Sequence, residues 1–218
     1  MVTLALLHTS PVHVPVFDAL RDQDHPGLTL RHVVREDLLD RARADGPDAV
    51  TDDVRAALAE AAADADAVLC TCSTLGAVAE SHATAVGVPV VRLDRPMAAA
   101  AVRAGGTVAV VATVASTLEP TVALVRAEAE RAGLHVDVRT VLVDGAWERF
   151  EAGDRDGYLR LVAEAVQRLE GVDAIVLAQA SAADAAARVT TASPVLASPR
   201  SGLSAAAALC GRQGRHGR

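Results

Sequence analysis

The sequence predicts an α/β protein of two pseudo-symmetric parallel-sheet α/β lobes. Short Val/Leu/Ala runs alternate with amphipathic stretches, the alternation recurs in a second half, and the composition suits a buried core. The chain has 218 residues, 51% hydrophobic and only 2% aromatic, so Ala, Val and Leu must fill that core.

Taken in order, strands are expected at Thr3–Leu7, Leu28–Val33, Ala67–Cys70, Val88–Val91, Val108–Ala112, Val136–Leu142, Ala174–Leu177 and Pro194–Leu196. Most are short apolar runs, as strands covered on both faces are. Helices are expected at Val50–Ala63, Leu75–Val86, Met97–Ala104, Thr117–Ala132, Asp156–Leu169, Ala182–Val189 and Leu203–Cys210. These carry Ala, Leu, Glu and Arg with few breakers. The polar tail from Gly211 to Arg218 is expected to be mobile.

The repeat is visible residue by residue. Thr3-Leu-Ala-Leu-Leu-His-Thr9 resembles Thr107-Val-Ala-Val-Val-Ala-Thr113, and Asp66-Ala-Val-Leu-Cys-Thr-Cys-Ser-Thr74 resembles Asp173-Ala-Ile-Val-Leu-Ala-Gln-Ala-Ser181. Pro89-Val-Val matches Pro194-Val-Leu in the same order and at nearly the same spacing. The first lobe is expected over 1–97 and 203–218, the final helix returning to it, and the second over 98–202. Ligands in open α/β sheets sit beyond the carboxyl ends of strands, so the active-site cleft is expected between the lobes.

Composition excludes several functions. All 21 basic residues are Arg, so neither a lysine Schiff base nor a Walker P-loop is available. A net charge of −7 and few aromatics argue against a nucleic-acid partner. No apolar run reaches membrane-spanning length, and the start has no basic flank of a signal peptide. Cys70, Cys72 and Cys210 suggest no disulfide framework, which fits a reducing cytoplasm. No Cys/His cluster has zinc-site spacing, and no metal is expected.

Cys72 is the candidate reactive group. Val68-Leu-Cys-Thr-Cys-Ser-Thr-Leu-Gly76 reads as a buried strand, a tight polar turn and a helix start. Ser73 or Thr74 is expected to cap that helix, whose free amides favour an anion, so a thiol there should ionise readily. Cys70 reads as a small buried hydrophobe. A packed structural thiol is the alternative for Cys72. Thr9, Ser10, Ser73, Thr74, Thr113, Ser116, Thr117 and Ser181 follow strand ends, where they could hold a substrate carboxylate or simply cap helices. Ser198 and Arg200 follow the last strand, Arg200 reading as a surface residue rather than a substrate ligand.

Cys72-Ser-Thr resembles the first Cys-Asn-Thr motif of the aspartate/glutamate racemase superfamily, which includes glutamate, aspartate and hydantoin racemases, maleate isomerase and arylmalonate decarboxylase. Thr113-Val-Ala-Ser116 resembles the threonine-rich loop of that family's second half, and Val90-Val-Arg-Leu-Asp-Arg-Pro-Met97 the segment after its third strand. The resemblance implies no cofactor, a small carboxylate or amino-acid substrate and a possible homodimer. In the racemases a second cysteine faces the first across the cleft, and the two exchange roles as acid and base. Gln179 stands at that position here, and an amide cannot trade a proton near neutral pH. The resemblance sets His8 where a carboxylate would assist the first cysteine. Imidazole could deprotonate Cys72 or be the missing proton carrier, a satisfied loop histidine being the alternative. His13 is a less favoured catalytic candidate.

The expected function is a cofactor-independent racemase or isomerase with Cys72 as base or nucleophile, and Gln179 and the hydroxyls orienting the substrate. The alternatives are a single-cysteine decarboxylase of the same superfamily and a non-catalytic binder of small acids.

Overall fold

The computed structural model describes residues 2–213. Met1, residues 214–218 and the side chains of residues 212 and 213, with most of the polar tail expected to be mobile, lie outside the described residues. The chain divides into two compact units, Met1–Leu93 with Pro199–Arg218, and Asp94–Ser198.

The first unit holds β1 (Val2–His8), β2 (Leu28–Val34), β3 (Ala67–Cys70) and β4 (Val90–Arg92), ordered β2-β1-β3-β4 and all parallel. Its helices are α1 (Val14–Asp24), α2 (Glu36–Asp45), α3 (Thr51–Ala62), α4 (Gly76–Ser81) and α5 (Ala83–Val86). The second unit opens with α6 (Arg95–Ala104). It holds β5 (Thr107–Ala112), α7 (Leu118–Ala132), β6 (Asp137–Leu142), α8 (Ala146–Glu151), α9 (Arg155–Gln167), β7 (Ala174–Leu177) and β8 (Val195–Ala197). Its sheet order, β6-β5-β7-β8, repeats that of the first. The final helix, α10 (Ser198–Gln213), lies almost wholly in the first unit.

The eight expected strands are present within two residues of their predicted ends. The repeat extends to single hydrogen bonds: the Asp66 carboxylate accepts from the Thr3 amide at 2.8 Å, and the Asp173 carboxylate from the Thr107 amide at 2.8 Å. Each aspartate thereby ties the start of a central strand to the loop before the next one.

Central strands are buried on both faces, as parallel strands between helix layers must be. In β5, Val108, Val110 and Ala112 pack into one cluster with α6 and α7, while Ala109 and Val111 pack into another with α9. In β1, Ala5 and Leu7 join Val54, Leu58 and Ala61 of α3.

Five expectations are corrected. Helices α1, α2 and α8 form where none was expected. Pro15 falls in the first turn of α1, where its missing N–H costs nothing, and only Phe17 of that helix is buried. In α2 the buried set is just Leu38 and Ala42, a stripe too thin to stand out among its charges. The expected helix at Leu75–Val86 is two short ones, α4 and α5, and the segment expected as an α-helix at Ala182–Val189 is a 3₁₀ run over Ala180–Arg188. Ala182 and Ala185 are its buried residues, three apart as a three-residue turn requires.

Candidate functional site

In the first unit the strand order reverses between β1 and β3, and the carboxyl ends of strands at such a reversal are where ligands bind in open α/β sheets. The ladder continues past both strands. The Thr71 amide donates to Leu7 O at 3.0 Å, and the Leu93 amide to Cys70 O at 2.9 Å. Cys72 follows this clamp and is half-buried, whereas Cys70 is buried with its thiol donating to Cys72 O at 3.7 Å.

The turn differs from the expected cap. Leu75, not Ser73 or Thr74, is the N-cap of α4, and no side chain bonds the helix start. The chain makes one further turn first, with the Gly76 amide donating to Ser73 O at 3.4 Å. A six-residue helix also carries little dipole. The Thr74 hydroxyl is buried without a partner. Arg92, at the end of β4 and 4% exposed, extends beneath the turn, its guanidinium donating to Ser73 O at 3.5 Å. Gly76 leaves room for it, since a Cβ there would lie 2.7 Å from Arg92 Nε.

His8 is fully buried and has neighbours other than those expected. Its Nδ1 stands 2.8 Å from Thr71 Oγ1 and its Nε2 2.8 Å from His32 Nδ1. Burial, then His32 and His13, push the imidazole down to about 3, so it is neutral at pH 7. Among the described residues no hydrogen bond joins it to Cys72, and a ring so committed is poorly placed to carry a proton to or from the thiol. His13 lies 6.4 Å away, centroid to centroid, and burial lowers it too. Thr9 is buried and Ser10 half-buried just beyond the strand. Arg200 is on the surface as expected, paired with Asp24 and Gln23.

The second unit has the same reversal between β5 and β7. The Ala178 amide donates to Val111 O at 2.9 Å, as Thr71 does to Leu7, so Gln179 holds the place that Cys72 holds in the first unit. Its carboxamide is tied to Thr113: the Thr113 amide donates to Oε1 at 2.8 Å, and Nε2 donates to the Thr113 hydroxyl at 2.7 Å. Ser181 bonds Tyr158, a fully buried residue of α9, at 2.8 Å between oxygens, and burial pushes the phenol up. The Thr117 hydroxyl donates to Val114 O at 2.7 Å, while that of Ser116 is buried without a partner. Each unit therefore gathers its own candidates at the carboxyl ends of its central strands.

The family model for Asp/Glu/Hydantoin racemase matches residues 13–208. The chain belongs to this family. Its fold is shared by a glutamate racemase isoform from Bacillus anthracis, at TM-score 0.71 and 12% identity over 98% of this chain and 83% of that one. A cysteine-substituted mutant of arylmalonate decarboxylase, in its sulfate-associated form, aligns at TM-score 0.64 and 18% identity over 96% and 93%. Allantoin racemase from Pseudomonas fluorescens aligns at TM-score 0.59 and 18% identity over 98% and 92%. No curated protein sequence matches the chain.

Four residues that contact these candidates or their neighbours are not picked out by the sequence. Thr71 sits between two cysteines, and His32 and Asp18, whose ring Nε2 and carboxylate stand 3.4 Å apart, lie on β2 and α1, the latter a helix the sequence does not predict. Tyr158 is the only tyrosine in the chain, a signal that could have marked it. Among the described residues no group of three His, Cys, Asp or Glu could hold a metal ion, and no helix is long and apolar enough to cross a membrane.

Proposed function

We propose that this racemase-family chain is a cofactor-independent isomerase-type enzyme acting on a small carboxylic or amino acid, with Cys72 as general base or nucleophile. The observation that carries it is the standing of Cys72 among the three thiols. It alone is partly exposed, and it follows β3 where the strand order reverses. As base, its thiolate takes the proton from the carbon beside the carboxylate, and the bonding pair moves into the carboxyl group to give an enediolate. Thr9, Ser10, Ser73 and Thr74 are proposed to bind that group, and Thr113, Ser116, Thr117, Gln179 and Ser181 to add further substrate contacts. The unpartnered Thr74 hydroxyl supports this, because a buried hydroxyl without a bond costs free energy that a ligand oxygen recovers.

The amide at Gln179 favours a second reading within the same chemistry. Without a second thiol, transfer on one face suffices for a decarboxylase: the bond to a carboxylate breaks, carbon dioxide leaves, and the resulting carbanion takes the Cys72 thiol proton. Isomerisation by thiolate addition to a double bond and its later expulsion is equally one-sided.

A panel of 2-substituted carboxylic and amino acids, followed by proton NMR in deuterium oxide, tests the reading. The wild-type protein should exchange the α-proton or release carbon dioxide, and Cys72→Ser should lower that rate by about 100-fold or more. Equal rates would remove the thiol from the chemistry. Unimpaired acid binding with turnover in neither protein would mark a binding protein.

A further inference from the structure

A file of hydrogen-bonded groups runs from the surface to the residue before Cys72. The Thr71 hydroxyl has one proton, and it goes to Leu7 O at 3.1 Å. It must therefore accept from His8 Nδ1, which fixes the proton of the neutral His8 ring on that nitrogen. His8 Nε2 is then bare and accepts from His32 Nδ1, the two rings lying 5.1 Å apart and nearly parallel. His32 Nε2 faces the Asp18 carboxylate at 3.4 Å, and Asp18 is 42% exposed. Phe17 packs on His8 from α1, and His13 approaches from the turn before that helix. A loop histidine satisfied by backbone would need none of this, since two further ionisable side chains are spent on one ring.

We propose that Asp18, His32 and His8 form a positioning relay whose last member holds the Thr71 hydroxyl, fixing the turn that presents the Cys72 sulfur. The consequence for reaction rests on the reading of Cys72 given above, but the relay itself does not. The Asp18 carboxylate can only accept, so the relay is complete when His32 donates from both ring nitrogens, Nε2 to Asp18 and Nδ1 to His8; the bare His8 Nε2 then leaves its proton on Nδ1, which closes on Thr71 Oγ1. Thr71 is thus bound to β1 through its amide, its hydroxyl proton and its hydroxyl lone pair. The sulfur one residue on inherits that rigidity.

The test needs no substrate. In 15N-labelled protein the His8 ring should carry its proton on Nδ1 at neutral pH, against the usual preference of free imidazole. With the donor to Nε2 removed in His32→Leu, the Thr71 hydroxyl is free to turn its proton from Leu7 O to His8 Nδ1, and the ring should return to the ordinary Nε2–H form; His32→Asn, whose amide can replace the lost donor, should restore Nδ1–H. In the same three proteins the rate of Cys72 alkylation by iodoacetamide should rise about fivefold in His32→Leu and recover in His32→Asn. Buried Cys210 gauges general loosening and should stay unreacted throughout. An Nε2–H ring in the wild-type protein, a tautomer or alkylation rate indifferent to His32, or equal gains at Cys210 would overturn the relay. Loss of turnover in Cys72→Ser bears on the catalytic reading alone.

Discussion

Gln179 and Thr113 are joined twice, one amide end accepting from the Thr113 backbone and the other donating to its hydroxyl. The pair ties the residue after β5 to the second residue after β7 and occupies one donor and one acceptor of the carboxamide. Thr113→Val removes the hydroxyl acceptor and leaves a carboxamide donor unmatched. Urea unfolding should show a loss of about 1–2 kcal/mol. An unchanged midpoint would mean that solvent replaces the bond freely.

Gln179→Cys puts a thiol where the racemase resemblance places one. Under the proposed function the wild-type protein exchanges the α-proton of one enantiomer, and this variant should exchange both and interconvert them. Chiral chromatography after incubation with each enantiomer reads the outcome; a variant as one-sided as its parent would count against Cys72 as the partner base.

The three thiols should separate under alkylation. Cys70 and Cys210 are each 1% exposed, and burial, then the Asp66 charge, push the Cys210 thiol up to about 11. Peptide mapping after brief treatment of native protein at pH near 8 should find Cys72 modified and the other two intact. Early modification of Cys210 would contradict the packing of α10.

Acid should weaken the fold through His8. Its imidazole is held down to about 3 in the folded chain, against an ordinary 6.5. Between those values the unfolded chain binds the proton and the folded one does not, so stability falls as pH drops through that window. Well inside the window the loss is about 1.4 kcal/mol per pH unit, and burial of His13 acts in the same direction. Urea midpoints should therefore decline from about pH 7 to about pH 5, and His8→Asn should flatten the slope.

Gly202 lets α10 close on the backbone of the first unit. A Cβ there would collide with the carbonyl oxygen of Leu93, which no side-chain motion relieves. Gly202→Ala should cost about 2–3 kcal/mol, read by thermal or urea unfolding. Gly211→Ala, on the same helix with open space around it, serves as the comparison and should cost nothing of that kind.

The sheets were legible because a parallel strand buried on both faces is nearly all Val, Leu and Ala, and Ala67–Cys70 and Ala174–Leu177 fit that description without interruption. The thin stripe of α2 was not, since burial of Leu38 and Ala42 depends on what the sheet presents rather than on local pattern. Cys72 and Gln179 could be matched by position, and the equivalent amide bonds of Thr71 and Ala178 give them the same place in their units. What surrounds His8 could not, because His32 and Asp18 reach it from separate elements whose spacing in the chain carries no information about their meeting.

The chain leaves the first unit after Leu93 and re-enters it at Pro199, so the second unit is an uninterrupted stretch of sequence and the first is not. During synthesis, domains tend to fold as their residues emerge. Here the half carrying Gln179 can close by itself, while the half carrying Cys72 must wait for α10, made later, to complete its packing. The packing of the thiol-bearing half is thereby complete only once residues beyond the second unit have been made.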